Sequence, residues 1–286
     1  IRPGIRRGAN RRLAGEDVKA GSTILPAGAR LRPQDVGLAA AVGLTHLVVA
    51  TPLRVAVFST GDELCEPGRP LREGAIYDSN RHTLAALLTQ LGCAVSDLGI
   101  LPDRREAIAG ALAAAARSHD LIITSGGVSG GEEDHVKAAV EVHGRLHIWR
   151  LAIKPGRPIA LGQLDTDGRA VPFIGLPGNP VAVMVTFLRI ARPMILRLMG
   201  ARDLAPVLFR VRADFEHRKK RDRREWLRAR LVQDETGALV ARKFPRDGAG
   251  ILSSLVESDG LVELPEELTH LARGSMVDFL PFGEVR

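Results

Sequence analysis

The chain has little of three things: cysteine, aromatic side chains and long apolar runs. Two of its 286 residues are cysteines, Cys65 and Cys93, too few for a disulfide framework and wrongly spaced for a zinc site. This cysteine usage favours a reducing, cytoplasmic setting. No apolar run approaches the roughly 18–20 residues that span a bilayer, which argues against a membrane protein. Aromatic residues make up 4%, with a single tyrosine, so the stacking surface typical of single-stranded nucleic-acid binders is missing.

What the chain does have is positive charge. The net charge is +7 and the isoelectric point is near 10.1, which favours anionic partners such as nucleic acid, a membrane surface or phosphorylated metabolites. The basic residues concentrate in two segments, 2–12 and 218–230. Few aromatic residues accompany them, and such clusters more often form a solvated charged face. We therefore expect no nucleic-acid partner and no membrane partner.

The sequence divides into three stretches that differ in residue composition and in predicted secondary structure. Residues 1–51 contain glycine, arginine and proline with short apolar pieces, which predicts a partial strand-and-turn segment with one small helix. Residues 52–200 alternate strand and helix patterns, which predicts an α/β domain with a mostly parallel sheet covered on both faces, in three αβα layers. Residues 201–286 contain short strands separated by turns, which predicts a small all-β domain, a barrel or a sandwich.

Periodicity gives the elements of the middle stretch. The predicted strands cover 54–59, 94–100, 121–124, 147–153, 159–164 and 173–176. The predicted helices cover 80–91, 103–117 (capped by Asp103), 134–142 and 181–199. Four loops, 60–66, 125–134, 154–158 and 177–180, follow predicted strands. Because ligands bind beyond the carboxyl ends of parallel strands, we expect these loops to form one site.

A glycine-rich loop with acidic residues is the most informative motif. Residues 121–134 read as a strand, a glycine loop and a helix start, an arrangement whose backbone N–H groups can hold a phosphate, although such loops are often plain turns. Carboxylates beside a phosphate repel it unless a metal ion lies between them. Asp134 ends this loop, and Asp62 and Glu63 lie on the loop after the first strand. Together they predict a Mg²⁺ site; the alternative is that each aspartate caps a turn or a helix.

Two further loops favour an anion. Residues 153–158 hold Lys154 and Arg157 between two prolines, so both cations are fixed with little entropy left to lose, as suits an oxyanion or a phosphate. The alternative is a tight turn with cations facing solvent. Residues 175–180 precede a long apolar helix, whose dipole and backbone amides suit an anion, although proline at a helix start is also ordinary capping.

Taken together, these motifs resemble those of the MoeA family, the molybdopterin molybdenumtransferases, which includes the E domain of gephyrin-like proteins. The matching segments lie in order along nearly the whole chain: 11–17, 59–64, 77–80, 124–129 with Asp134, 153–158, 175–180, 223–226 and 250–255. The resemblance implies a central domain like that of the MogA and MoaB proteins. It also implies the last step of molybdenum cofactor synthesis, in which molybdenum from molybdate enters adenylylated molybdopterin and AMP is released with the help of Mg²⁺.

The resemblance also implies roles for individual residues and for partners. Asp62, Asp134 and Lys154 would be catalytic, and Asp62, Glu63 and Asp134 would bind the metal. The residues that bind the substrate or its nucleotide would be Ser125, Gly126, Gly127, Ser129, Arg157, Pro177, Gly178, Asn179, Pro180 and, from the first segment, Asp17. The molybdate ligands would be Lys154, Arg157, Pro180, Arg223 and Ser254. A homodimer and a molybdopterin adenylyltransferase partner are further expectations.

Two alternatives stay open: a MogA-like molybdopterin adenylyltransferase and a non-catalytic, gephyrin-like scaffold. The β domain and the loop 175–180 fit MoeA better than MogA, and the retained acidic and basic residues argue against a scaffold. The chain departs from the family at Arg157, often lysine there, and at Ala182, commonly serine. Family members also have an additional N-terminal portion with a small inserted domain. This sequence starts at Ile1 without a methionine, as is typical of a sequence that begins partway into a longer protein.

Overall fold

The computed structural model describes Gly4, residues 6–128 and residues 135–285. Up to residue 51 the described chain holds helix α1 (Pro33–Ala41) and turns. Helix α1 starts where the Asp35 carboxylate accepts the backbone N–H of Arg32 at 2.8 Å, which satisfies one of the free donors of a first turn. The small helix predicted for this segment is present. No strand occurs among residues 6–51, so the strand part of that prediction is not found.

Residues 54–198 alternate between strands and helices. The strands are β1 (Arg54–Thr60), β2 (Leu64–Cys65), β3 (Ile76–Tyr77), β4 (Ala94–Leu101), β5 (Leu121–Ser125), β6 (Gly144–Arg150), β7 (Ile153–Lys154), β8 (Pro158–Thr166) and β9 (Arg169–Leu176). The helices are α2 (Asn80–Gln90), α3 (Arg105–Ser118), α4 (His135–His143), α5 (Pro180–Thr186) and α6 (Arg192–Leu198), with a π-helical turn at Phe187–Ala191 between the last two.

The central sheet has six strands in the order β4-β1-β5-β9-β8-β6. The first four run parallel, and β8 and β6 are antiparallel to their neighbours. Helices α2, α5 and α6 bury Leu84, Val183 and Ile195 on one face, and α3 and α4 bury Ile108 and Val136 on the other. Burying each of the larger of these side chains contributes about 1.5–3 kcal/mol. The prediction of a mostly parallel, three-layer αβα domain is confirmed.

Residues 209–285 form the second domain. Its strands are β10 (Phe209–Ala213), β11 (His217–Arg218), β12 (Arg224–Gln233), β13 (Leu239–Lys243), β14 (Gly260–Leu264), β15 (His270–Leu271) and β16 (Met276–Pro281); a short helix α7 (Ser253–Val256) and a 3₁₀ turn (Phe282–Val285) complete it. The strands follow the order β13-β10-β16-β14-β12, and β12 pairs back onto β13. The sheet therefore closes on itself around Val262 and Phe279, which confirms a small β-barrel.

One short strand of the middle stretch belongs to the barrel. Strand β6 ends at Arg150, and β7 pairs in parallel with β12, so that Lys154 lies opposite Glu225. The prediction of one strand over 147–153 is therefore wrong. The chain leaves the central sheet after Arg150, where the Leu151 N–H donates to the Arg157 carbonyl at 2.7 Å. This crossing puts the loop 154–158 between the two domains.

The predicted long apolar helix is present with a change of winding. It runs from Pro180 to Leu198, and its middle turn is π-helical. The Thr186 hydroxyl, one residue before that turn, donates to the Ala182 carbonyl at 2.7 Å. Among the residues that the structure describes, no helix has both the length and the apolar character needed to cross a bilayer.

Candidate active site

Loops from four strands lie at one edge of the central sheet. Strands β1, β5 and β9 are parallel neighbours, and the Gly126 N–H donates to the Leu176 carbonyl at 3.0 Å. A Cβ on Gly178 would lie 3.8 Å from the Gly126 Cα, so the loops after β5 and β9 touch. Because Ala160 of β8 is opposite Gly175 of β9, the start of β8 and the loop before it reach the same edge. The described parts of the four predicted loops therefore lie at one edge of the sheet, as expected; that they form one site stays a prediction.

The glycine loop after β5 requires its glycines. Gly126 and Gly127 both have positive φ, 88° and 65°. A Cβ on Gly127 would lie 2.4 Å from the Val136 side chain and 3.0 Å from that of Thr60, so no larger residue fits between α4 and the end of β1. Ser125 is buried at the end of β5. Ser129 and Asp134, both predicted site residues, lie outside the described residues.

A cavity of about 450 Å³ lies between the central domain and the barrel. Six of the predicted site residues line its wall: Lys154, Arg157, Pro177, Gly178, Asn179 and Arg223. The wall also contains Arg228, Trp226 and Asp247, which were not predicted. The predicted residues Pro180 and Ser254 do not line it. Among the described residues of this wall, four cationic side chains thus face one acidic one. Such an excess of fixed positive charge in a concave site suits an anion.

A second cavity, of about 780 Å³, lies in the first segment. Among the residues that the structure describes, Lys19 is the one ionisable side chain that lines it, beside small and apolar residues such as Ala14, Val18 and Leu44. Larger volume alone gives no means of fixing a charged ligand. The smaller cavity, with its convergent cations, is therefore the better candidate site.

Arg228 is the cation that the sequence reasoning missed. One guanidinium nitrogen donates to the Gly248 carbonyl at 2.7 Å and to the Ser254 hydroxyl at 2.9 Å, and another donates to the Arg246 carbonyl at 3.2 Å. Burial lowers the pKa of Arg228, with nearby Asp247 opposing the shift, and no carboxylate among the described residues pairs with it. Ser254 thus lies behind Arg228 and supports it. The signal in the sequence was the two-residue period of β12, which places Arg228 on the same face as Trp226.

Beneath the cavity, the fully buried Glu225 contacts three basic side chains. Its Oε1 accepts from Arg223 through Nε at 3.1 Å and through a terminal nitrogen. Its Oε2 lies 3.2 Å from His217 Nε2 and 3.8 Å from Lys154 Nζ. Burial acts to raise the pKa of Glu225, but the hydrogen bonds from Arg223 and His217 and the charge of Lys154 outweigh it, so that this pKa lies below its ordinary value.

The lowered pKa of Glu225 predicts the pH dependence of stability. A carboxyl whose pKa is lower in the folded chain than in the unfolded one stabilises the fold when the pH is above its ordinary pKa, here 4.5. This contribution to stability is lost as the pH falls below that value. Glu225→Gln should therefore be less stable than the unmodified chain at about pH 7, with a difference that shrinks below about pH 4.5. Thermal unfolding of both proteins across this range measures it. A difference that widens in acid would contradict the prediction.

Asp62 and Glu63 are exposed on the loop after β1. No hydrogen bond or ion pair joins either carboxylate to another described residue. The Glu63 side chain folds back onto Gly61, so that a Cβ on Gly61 would lie 2.6 Å from Glu63 Oε2. Two carboxylates without a cationic partner fit the oxygen ligands that Mg²⁺ prefers. Within the described ranges no group of three His, Cys, Asp or Glu side chains is arranged to hold a metal ion. Asp134, the third predicted ligand, lies outside these ranges.

Asp103 is another carboxylate at this edge. The prediction that it caps helix α3 is wrong: Arg104 occupies the capping position, and no side chain caps the helix. Asp103 instead accepts a hydrogen bond from the Thr60 hydroxyl at 3.1 Å, directly after β4. Since β4 and β1 are neighbours, Asp103 lies beside the loop that carries Asp62.

Two hydrogen bonds of the first segment lie at the opposite edge of the sheet. The Arg30 guanidinium donates to the carbonyl of Gln90 at 3.2 Å, and the Gly28 carbonyl accepts from Arg202 at 3.0 Å. Both contacts are at the C-terminal ends of helices, α2 and α6. Asp17 is exposed in the same segment and does not line the cavity, and its role across a dimer interface stays a prediction.

Gly156 lets the cationic loop pack against helix α5. Its φ is +95°, and a Cβ there would lie 2.5 Å from the Thr186 side chain. We expect Gly156→Ala to destabilise the chain by roughly 1–3 kcal/mol and to weaken anion binding, because Lys154 must shift. Gly168→Ala is the matched control, since its φ is +75° but nothing lies within 4 Å. Urea unfolding of both variants measures the difference, and equal losses would contradict the role of the contact.

The comparison with known proteins decides the family. Over 277 residues the chain is 39% identical to the molybdopterin molybdenumtransferase of Haemophilus influenzae, which covers 96% of this chain and 68% of that protein. The chain belongs to the MoeA family. Three family profiles match in order: the MoeA N-terminal region (domain I and II) over residues 1–43, the probable molybdopterin binding domain over 56–197 and the MoeA C-terminal region (domain IV) over 210–282. The family resemblance inferred from the motifs is confirmed.

Further similar proteins agree in sequence and in fold. A Nostoc molybdopterin molybdenumtransferase is 34% identical, and the match covers 93% of this chain and 61% of the Nostoc protein. Mycobacterium tuberculosis molybdopterin molybdenumtransferase 2 is 35% identical, and the match covers 94% of this chain and 66% of that protein. A MoeA crystal structure from Pyrococcus horikosii has a TM-score of 0.78 at 29% identity, covering 94% of this chain and 64% of that chain. A molybdenum cofactor biosynthesis protein from Pyrococcus furiosus has a TM-score of 0.70 at 27% identity, with 94% and 82% covered. The chain thus spans about two thirds of the curated relatives.

Proposed function

We propose that this chain holds the cleft in which molybdenum from molybdate is inserted into adenylylated molybdopterin, with release of AMP and the assistance of Mg²⁺. The single observation that carries the proposal is the 450 Å³ cavity with four cationic side chains, next to the glycine loop after β5 and the loop after β9. The curated relatives are named for transfer of molybdenum to molybdopterin.

The four cations would hold molybdate. Molybdate is a dianion and the pterin substrate is itself anionic, so the two repel each other unless fixed positive charge lies between them. Lys154 and Arg157 enter from the proline-flanked loop. Arg223, just before β12, and Arg228, within β12, enter from the barrel. Guanidinium groups suit oxyanions because their planar donors bind two oxygens at once, while the lysine ammonium adds a mobile point charge. Because these groups are already in place, little reorganisation is needed when charge builds up during transfer.

The neighbouring loops would hold the nucleotide part of the substrate. The backbone of Gly126 lies against that of Gly178, and Asn80 donates to the Gly178 carbonyl at 2.6 Å, which fixes the loop at the start of α5. Pro180, the first residue of that helix, sets its direction without using an N–H. Ser125 and Asn179 complete the described part of this subsite, and Ser129 stays a prediction.

Asp62 and Glu63 would hold Mg²⁺ at the far end of the substrate. The ends of β1 and β9 are two strand spacings apart, about 10 Å, which leaves room for a phosphoanhydride between the acidic loop and the cationic cavity. A bound Mg²⁺ would neutralise phosphate charge as AMP departs. Asp62 and Glu63 would orient the phosphate by fixing that ion, and Asp134 stays a predicted third ligand.

The position of the cavity favours this function over the adenylyltransferase alternative. Two of its four cations and Trp226 come from the barrel, which a lone central domain lacks. The scaffold alternative gives no reason for a set of convergent cations over an anion-sized cavity. The homodimer, the adenylyltransferase partner and the cytoplasmic setting stay predictions from the sequence and from the resemblance.

The release of AMP tests the proposal. The purified protein is incubated with adenylylated molybdopterin, with and without molybdate and Mg²⁺, and AMP is measured. We expect release only when both are present, and no consumption of ATP. Consumption of ATP would indicate an adenylyltransferase, and no release under any condition would indicate a scaffold; either result would refute the proposed function.

A further inference from the structure

We propose that Glu225 is a positioning residue of the anion cavity: it holds Arg223 in the orientation in which this guanidinium faces a bound oxyanion, and it keeps Lys154, which it contacts more weakly, close to the same ligand. Glu225 itself does not line the cavity and is fully buried. It acts on the ligand only through the two cations. This inference rests on the proposed function, because it assigns a role at the same site.

The backbone register brings these groups together. Strand β7 joins the barrel for only two residues, and there Lys154 is opposite Glu225. Arg223 immediately precedes β12, where its Nε donates to Glu225 Oε1 at 3.1 Å. A guanidinium held through Nε and one terminal nitrogen keeps its plane and its remaining donors fixed. Glu225 thus fixes one cavity cation from the start of β12 and contacts another, Lys154, from the loop between the two domains.

His217 allows Lys154 to move without leaving a buried carboxylate unpaired. Its Nε2 is 3.2 Å from Glu225 Oε2, closer than the 3.8 Å of Lys154 Nζ to the same oxygen. His217 is buried, whereas the Lys154 side chain is 45% exposed. When Lys154 turns toward an oxyanion, Oε2 keeps His217 and Oε1 keeps Arg223. The buried carboxylate therefore stays satisfied in both states.

Glu225 puts a negative charge beneath a cavity that is proposed to bind an anion, and this charge can affect binding in two opposite ways. By charge alone, Glu225 repels the ligand, so removing its charge should strengthen oxyanion binding. If Glu225 instead positions Arg223 and Lys154, removing its charge should weaken binding, because the freed cations must be ordered again by the ligand. The two accounts predict opposite signs for one isosteric substitution, Glu225→Gln.

The experiment is a double-mutant cycle on molybdate binding. The affinity for molybdate is measured by calorimetry, and the KM for molybdate and kcat by AMP release, for Glu225→Gln, Arg223→Met and the double variant. We expect Glu225→Gln to raise Kd and KM about tenfold, as the loss of a charged hydrogen-bond partner implies, with kcat at saturating molybdate within about twofold. In the Arg223→Met background the same substitution should change KM about twofold or less, because its main partner is already gone.

Two controls make the result specific. Asp214→Asn removes a carboxylate of the same barrel that pairs with Arg242 and Arg273 away from the cavity, and it should leave molybdate binding unchanged. Glu225→Asp keeps the charge one methylene farther away, so its KM should lie between those of the unmodified protein and Glu225→Gln. Thermal unfolding identifies any variant that fails to fold. If Glu225→Gln is not folded, the KM of Glu225→Asp for molybdate is compared with that of the unmodified protein instead.

The outcomes separate the two proposals. Unchanged or tighter molybdate binding by Glu225→Gln, or an effect of equal size in the Arg223→Met background, would overturn the positioning role while leaving the proposed function standing. If the unmodified protein neither binds molybdate nor releases AMP, the proposed function and this inference both fall.

Discussion

Replacing Lys154 by alanine is expected to lower molybdate-dependent AMP release by about 100-fold, the usual effect of removing one fixed donor to an anionic transition state. Lys154 is the one lysine among the described residues of the cavity wall, and it lies where the central domain meets the barrel. The fold should remain, because the side chain is 45% exposed and Glu225 keeps Arg223 and His217 as partners. Turnover at varied molybdate, together with thermal unfolding, measures both parts of the prediction.

The control for this substitution is Lys220→Ala, which removes an exposed lysine that does not line the cavity. The two variants lose the same charge, so a general electrostatic effect on an anionic substrate would appear in both. Similar turnover in the two variants would mean that Lys154 has no special role. A large loss confined to Lys154→Ala, with an unchanged unfolding temperature, is the result that we expect.

The second large effect concerns the acidic loop. The combined substitution Asp62→Asn and Glu63→Gln should raise the Mg²⁺ concentration needed for half-maximal AMP release by about 10–100-fold, since neutral amides are poor ligands for a hard cation. Both side chains are exposed and have no partner among the described residues, so stability should change little. The measurement is AMP release against Mg²⁺ concentration at saturating molybdate.

Asp165→Asn provides the comparison for this loop. Asp165 is an exposed carboxylate near the end of β8, at the opposite edge of the central sheet. It should leave the Mg²⁺ dependence unchanged. If the double variant also keeps the Mg²⁺ dependence of the unmodified protein, then the acidic loop does not hold the ion and the metal part of the proposed function is wrong.

Local patterns in the sequence were enough for most of the fold. Apolar residues at helical spacing, Leu84 and Leu88 among them, identified α2, and the alternation of strands with helices identified the parallel sheet. The edge at which the loops meet then followed from a general property of such sheets. The family's motifs identified most of the cavity wall, including Lys154 and Arg223.

What the sequence did not reveal depends on contacts between distant segments. Strand β7 is two residues long, too short to show a period, and its pairing with β12 is a tertiary event. The buried cluster of Glu225 and the hydrogen bond between Thr60 and Asp103 likewise join residues from different elements. Arg228 was visible only as one basic residue among many until the structure placed it in the cavity. The domain bounds at 51 and 200 stay predictions.

The central claim is that the cavity between the two domains binds molybdate. A crystal structure of the protein grown with molybdate, with molybdenum located by its anomalous scattering, tests it most directly. We expect a single strong peak within hydrogen-bonding distance of Lys154, Arg223 and Arg228. A cavity without molybdenum at a concentration that supports AMP release, or a peak only at another surface of the chain, would contradict the account.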